Sequence, residues 1–234
     1  MVLPFFYLSS YEPGTKELHL DEDNSRHIVQ VLRMQTGDPL QLTDGRGNLL
    51  QAAIIEAHKK KCRVRVTATS FQPRRHKEIL IAISLLKNAT RFEWFLEKAT
   101  EMGVTGIIPL LCQRTERSHF RQDRLHNILI SAMLQSQQTW LPDLQAPTPF
   151  PDCVASARHG RRLIAHCLED QRQSLTATGG GDRESLILIG PEGDFTKQEI
   201  EEALERGFLP VMLGETRLRT ETAGVVAAAL LCIG

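Results

Sequence analysis

Two glycine turns hold the residues best placed for chemistry. The first is Ile187-Leu188-Ile189-Gly190-Pro191-Glu192-Gly193-Asp194-Phe195, an apolar run entering a Gly-Pro-x-Gly turn. Thr196 and Glu199 follow with capping-box spacing, so a helix is expected to begin there. A strand end facing a helix start presents backbone N–H groups and bare glycine backbone at the carboxyl edge of a sheet, where open α/β folds bind ligands. By itself such a turn is equally an ordinary β–α connection. The second, Leu213-Gly214-Glu215-Thr216-Arg217-Leu218-Arg219-Thr220-Glu221-Thr222-Ala223, repeats the pattern and leads into the small-residue stretch Gly224 to Cys232. Two such turns can wall one pocket. Gly214 lets backbone approach a ligand, while Ala223, Gly224, Ala227 and Ala228 let the following helix pack tightly.

Charge supplies a second signal through its distribution. Lys plus Arg is 28 and Asp plus Glu is 28, so the net charge of zero does not advertise nucleic-acid binding. Between Glu56 and Arg91, however, Lys59, Lys60, Lys61, Arg63, Arg65, Arg74, Arg75, Lys77, Lys87 and Arg91 are opposed only by Glu56 and Glu78. Such a run is either a solvated face or a surface that tracks phosphates.

The elements that must position these residues fall into two regions. From Phe5 to about Ser70 the pattern is short strands and turns: Leu40 to Leu42, the turn cluster Asp44 to Asn48, Leu49 to Ile55, and Cys62 to Ala68. One helix is expected near Asp23 to Met34, with Ile28, Val31 and Leu32 on its apolar face and a turn at Gly37-Asp38. The polar stretch Phe71 to Glu78 reads as a linker. Beyond it the apolar runs Ile79 to Leu86, Gly106 to Leu111, Leu163 to Cys167, Leu186 to Ile189 and Phe208 to Leu213 alternate with amphipathic stretches. Alternating β and α elements imply a mainly parallel sheet covered on both faces. Thr90 and Glu93 have capping-box spacing for a helix with Phe92, Phe95, Leu96, Ala99 and Met102 on one face, ending at Gly103. A second helix is expected within Asp123 to Gln138, a Pro-rich connection from Gln145 to Asp152, and a flexible loop from Gln171 to Arg183 with its run of three glycines.

Composition bounds the class. With 41% apolar and 24% charged residues in 234, the chain can bury a substantial core. No run approaches the roughly 18 apolar residues of a membrane span, and Met1 to Ser10 lacks a charged leader and apolar core, so neither membrane insertion nor export is expected. Cys62, Cys112, Cys153, Cys167 and Cys232 are scattered and contain no C-x-x-C pair, which argues against a disulfide framework and a zinc cage; no metal is expected, and a reducing cytoplasm fits best.

The pair GPEGDF and LGETRLRTETA resembles the signature of the SPOUT class of S-adenosylmethionine-dependent RNA methyltransferases, and more narrowly the 16S rRNA (uridine-N3) methyltransferase family. The similarity extends to Arg26-His27 with Val31-Leu32-Arg33 and Gly37-Asp38, to Lys98 through Val104, and to Glu116-Arg117-Ser118, so it covers nearly the whole chain. The resemblance implies an α/β fold. A PUA-like RNA-binding β-barrel over residues 1–72 would precede a parallel-sheet SPOUT domain over 73–234 with a deep trefoil knot, in a homodimer acting on 16S rRNA or the small ribosomal subunit. Two departures stand out: Asp194 replaces a further glycine of the family turn, and in the helix Leu125 to Gln138 only Ala132, Gln135 and Ser136 match the usual pattern.

By the same resemblance, the backbone of Leu188, Ile189, Gly190, Gly193, Leu213, Gly214, Leu218 and Thr220 surrounds S-adenosylmethionine, joined by Cys167 and Leu168 at another strand end and by Pro191, Glu192, Arg219 and Ala223. Glu192 is open between a pocket role and a turn-stabilising one. Uridine N3 carries a proton at neutral pH, and a nearby cation favours the anion left by its loss. Arg117 and Arg219 are the catalytic candidates, with Lys98 a further one. Because N3 lies on the Watson–Crick edge, the target must be unpaired or extruded. Arg26, His27, Arg33, Lys59, Lys60, Lys61, Arg74 and Arg75, with Lys77, are expected to hold RNA phosphates. Competing expectations are a ribose 2′-O-methyltransferase of the same fold, since fold does not settle the acceptor, and a non-catalytic rRNA-binding assembly factor.

Overall fold

The computed structural model describes residues 3–74, 78–116, 120–167, 173–178 and 184–233. Two compact units emerge, Met1–Arg74 with Met133–Leu141, and Arg75–Ala132 with Pro142–Gly234.

In the first unit, β1 (Phe5–Tyr7), β2 (Glu17–His19), α1 (Glu22–Arg26), β3 (Pro39–Thr43), β4 (Asn48–Glu56) and β5 (Arg63–Phe71) form a curled sheet of order β1-β3-β4-β5-β2. The alternation of Leu40 and Leu42 with polar neighbours puts both into a core shared with Leu50, Ile54 and Val64. Gly45 and Gly47 adopt φ of 68° and 93°, the left-handed backbone that the β3–β4 turn requires. The expected helix over Asp23 to Met34 is shorter and changes character. Asp21 caps α1 by accepting the N–H of Asn24, a π-helical turn follows over His27–Val31, and Arg33 ends it at φ 55°. The wider turn rotates the apolar face: Ile28 is buried, but Val31 is 66% and Leu32 42% exposed. The stretch read as a linker starts inside β5 at Phe71, and its next residue is firmly held, since the Gln72 carbonyl accepts Trp140 Nε1–H at 2.8 Å and its N–H donates to the Gly47 carbonyl.

The second unit runs β6 (Ile79–Ser84), α2 (Ala89–Met102), β7 (Gly106–Leu111), α3 (Gln122–Gln135, ending in the first unit), β8 (Asp143–Leu144), β9 (Thr148–Pro149), α4 (Phe150–Ser156), β10 (Arg161–Ala165), β11 (Gln173–Ser174), β12 (Ser185–Ile189), α5 (Lys197–Glu205), β13 (Leu209–Met212) and α6 (Thr220–Cys232). Its sheet has the order β11-β13-β10-β12-β6-β7-β8, with β9 beside β7, and every pairing is parallel. All six residues of β6 are buried, as a central strand covered on both faces demands. Leu80 and Ala82 join one core with Phe150, Ile200 and Phe208. On the opposite face, Ile83 and Phe95 meet Gly224 of α6 so closely that a Cβ there would lie 2.7 Å from the Phe95 ring. The small-residue stretch therefore lets α6 lie against α2 and β6.

Helix α2 begins two residues earlier than Thr90 and Glu93 imply. Asn88 is the cap, its side chain accepting the Thr90 N–H, and Thr90 sits inside the first turn. Phe92, Phe95, Leu96 and Ala99 are buried as expected, and Gly103 ends the helix at φ 90°. The capping box of α5 is formed as expected: Thr196 accepts from Glu199 N–H and Glu199 accepts from Thr196 N–H. Among the described residues no helix is long and apolar enough to cross a membrane. The glycine run of the expected flexible loop, residues 179–181, lies outside the described residues.

Candidate functional site

Strands β13, β10 and β12 are neighbours and all parallel, so Met212, Ala165 and Ile189 finish side by side at one edge. Both glycine turns hang from that edge. Between them lies a cleft with two lobes of about 380 Å³ each. The lobes share Ala165, Cys167, Arg217, Leu218 and Ala223, so they adjoin one another.

The first lobe brings together Cys167, Ile189, Gly190, Pro191, Glu192, Leu218, Arg219, Thr220 and Ala223 from the expected set. The second adds Leu213 and Gly214. Two expected residues are not among those lining either lobe: the Leu188 side chain is fully buried in the core, and the Gly193 carbonyl accepts Arg114 Nη1–H at 2.6 Å. Leu168 lies outside the described residues. Sequence reading missed Ala165, Arg91 and Arg217 as wall residues, and treated Asp194 only as a departure, although it too lines the first lobe. Arg91 sits on a helix distant in sequence from both turns, and no local pattern assigns it to them.

The two glycines serve different ends. A Cβ on Gly190 would lie 3.0 Å from the Phe195 ring, so this glycine lets its own turn close. A Cβ on Gly214 would meet nothing within 4 Å, leaving bare backbone on the cleft. Asp194 adopts φ 64°, a conformation that Asp tolerates better than most residues. Its carboxylate accepts the N–H of Cys167 at 2.9 Å and that of Phe195 at 2.8 Å, so the turn after β12 is tied to the end of β10. Behind the turn, the buried Glu199 carboxylate accepts the Gln113 N–H at 2.8 Å besides serving its own cap.

Of the cationic candidates, Arg219 is exposed on the cleft. Lys98 lines neither lobe and is paired with Glu97 at 2.7 Å and Glu101 at 2.9 Å. Arg117 lies outside the described residues. Arg91 Nε lies 3.6 Å from the nearly buried Glu221 carboxylate. Among the cysteines, Cys167 is exposed on the cleft, whereas burial pushes the Cys112 thiol up to about 12 and the Cys153 thiol up to about 11. Among the described residues no cluster of His, Cys, Asp and Glu could hold a metal ion.

In the first unit, Lys59, Lys60 and Lys61 are exposed in the β4–β5 turn. Arg26 is engaged by Glu22 and Asp23, His27 packs edge-on against Phe6, and Arg33 is exposed. The Arg74 guanidinium lies over the Trp140 ring at 5.0 Å from its centroid. Arg75 and Lys77 lie outside the described residues.

A parallel sheet with two glycine turns closing a cleft on its carboxyl edge defines an α/β protein that takes a ligand at its strand ends. Comparison with known proteins narrows this. An RNA methyltransferase domain matches residues 73–232, and an RNA methyltransferase PUA domain matches residues 20–67. Ribosomal RNA small subunit methyltransferase E of Synechocystis is 32% identical over 87% of this chain and 68% of its own length. Among solved structures, a probable rRNA-methyltransferase from Porphyromonas gingivalis superimposes with a TM-score of 0.91 at 41% identity, covering 97% of this chain and 95% of its own. Ribosomal RNA small subunit methyltransferase E from Neisseria gonorrhoeae, solved bound to S-adenosyl methionine, gives 0.88 at 27% identity over 97% of this chain and 95% of its own. The chain belongs to the SPOUT-class RNA methyltransferase family of ribosomal RNA small subunit methyltransferase E.

Proposed function

We propose that the chain transfers a methyl group from S-adenosylmethionine to N3 of a uridine in 16S rRNA of the small ribosomal subunit. The observation that carries this reading is the two-lobed cleft where β10, β12 and β13 end. Its residues fit a ligand with an apolar nucleoside part and a zwitterionic tail. Ile189, Leu213, Leu218 and Ala223 offer apolar wall, Gly214 leaves a face without a side chain, and Glu192, Arg217 and Arg219 bring charge to the rim. The Neisseria relative, of the same family, was solved with this ligand.

Bound S-adenosylmethionine supplies a methyl group on a sulfonium, which passes to N3 while sulfur keeps the bonding pair and the N3 proton leaves to water. The chain's own residues bind and orient. The first glycine turn, latched by Asp194 and Glu199, holds its wall of the cleft in one arrangement, so alignment costs less when the RNA arrives. Residues 1–72 act as the RNA-binding part and 73–234 as the transferase. Arg26, His27, Arg33, the three lysines Lys59 to Lys61, Arg74 and Arg75 orient the rRNA through its phosphates. A cytoplasmic homodimer with a trefoil-knotted transferase part completes the reading, on the strength of the family resemblance.

The test incubates purified protein and S-adenosylmethionine with small subunits lacking the modification, then identifies methylated nucleosides by mass spectrometry. N3-methyluridine is expected. A ribose-methylated nucleoside would move the acceptor to the 2′-oxygen, and failure to bind S-adenosylmethionine would make the chain a non-catalytic rRNA-binding factor.

A further inference from the structure

We propose that the open groove beside the cleft, lined by Lys87, Asn88, Thr90, Arg91 and Glu192, receives the acceptor pyrimidine, and that Arg91 donates hydrogen bonds to its carbonyl oxygens. The inference rests on the uridine-N3 reading given above.

Three observations meet at this place. The groove, of about 540 Å³, shares Arg91 and Glu192 with the first lobe of the cleft, so a base in one lies beside a methyl donor in the other. Arg91 Nε stands 3.6 Å from Glu221 Oε1, and the side chains are 41% and 8% exposed: one end of the pair is anchored and the other reaches into both openings. Glu221 Oε2 is buried and has no hydrogen-bond partner among the described residues. A buried carboxylate with an unsatisfied oxygen lowers stability, so folding does not account for it. Holding a functional cation in place does account for it.

The chemistry fits the cation. When uridine loses its N3 proton, the N3–H bond breaks, the proton passes to water in the open groove, and the electron pair spreads over N3, O2 and O4. A guanidinium carries several N–H donors in a fixed plane and remains charged, so it can favour that anion without titrating itself. The other charged groups around Arg91 are Glu192 and Asp194 from the turn after β12, Arg217 and Arg219 from the second glycine turn, and Lys87. Lys87 is already engaged by Glu116 at 2.7 Å. Glu221 acts through Arg91 and is a positioning residue.

The experiment compares the full chain with its Arg91→Gln, Arg91→Lys and Glu221→Gln variants. Cofactor affinity is measured by calorimetry, and single-turnover methylation of unmodified small subunits is followed across a pH series. At saturating cofactor, Arg91→Gln is expected to transfer roughly 100-fold more slowly and to gain rate more steeply with pH, because the base must then lose its proton unaided. Arg91→Lys recovers part of the rate, and Glu221→Gln shows a smaller loss with the same change of pH profile. An Arg91→Gln variant with wild-type rate and profile at saturating cofactor overturns the proposal. A Glu221→Gln variant that is less stable but keeps the wild-type profile overturns the positioning role. If the unaltered chain binds cofactor yet forms no N3-methyluridine, the functional reading itself fails, and this inference with it, before any variant is compared.

Discussion

The Asp194 carboxylate accepts the main-chain N–H of Cys167 through one oxygen and that of Phe195 through the other, at 2.9 and 2.8 Å. A glycine at this position would relieve the positive φ but could not join the two strand ends. Asp194→Ala removes both acceptors and is expected to lower the unfolding free energy by about 2 kcal/mol and to weaken cofactor binding. Asp194→Asn, which keeps one acceptor oxygen and tolerates the same backbone, is expected to fall between. Urea unfolding and calorimetry measure the two effects, and an Ala variant as stable as the parent would show the latch to be idle.

Gly190 and Gly214 should separate folding from binding. Valine at Gly214 projects into open space on the cleft, so the variant is expected to fold with wild-type stability and lose cofactor affinity. Valine at Gly190 collides with the Phe195 ring and is expected to destabilise the turn by about 1–3 kcal/mol as well as abolish binding. Thermal unfolding beside calorimetry distinguishes them; undiminished binding by Gly214→Val would remove that turn from the cleft.

Replacing Lys59, Lys60 and Lys61 together by Gln is expected to weaken binding to small-subunit RNA and to flatten its dependence on salt, because fewer counterions are released. Cofactor affinity should stay as it was. Titrations at several salt concentrations measure the slope, and an unchanged slope would make the three lysines a solvated turn.

Cysteine reactivity should report on the cleft. Cys167 is exposed there, whereas burial lifts Cys112 to about 12 and Cys153 to about 11 from an ordinary 9.0. A disulfide reagent near neutral pH is expected to modify Cys167 before Cys112 or Cys153, and bound cofactor to slow that reaction. The folded state also holds the Cys112 and Cys153 protons more tightly than the unfolded chain does. The associated stability is complete below pH 9.0 and is lost as pH rises toward 12. Peptide mapping of the labelled sites and unfolding at alkaline pH check both statements; rapid labelling of Cys112 in the native protein would contradict the first.

Local patterning made much of this architecture readable. The runs at Ile79, Gly106 and Leu186 became buried strands because a central parallel strand needs apolar residues on both faces, and Thr196 with Glu199 capped α5 because both partners lie within one turn. What escaped depended on distance or on a small change in winding. Asn88 rather than Thr90 caps α2, although both residue types offer a suitable oxygen. The π-helical turn after Arg26 exposed Val31 and Leu32, which a regular helix would have turned inward with Ile28. In the cleft, the glycine turns were legible as strand–turn–helix transitions, but Arg91 was not. Its approach to Glu221 joins residues far apart in the chain, and only the packing of α2 against α6 brings them together.

The order of strands also governs how the chain can be made. Strand β6 is buried along its whole length between β7 and β12, yet its neighbour on one side is translated only after everything from Ser84 to Ser185 has left the ribosome. During that interval a largely apolar strand has an unpaired edge, the kind of surface that invites aggregation. Nascent chains halted between β7 and β12 should therefore engage holding chaperones, and release should coincide with the emergence of β12.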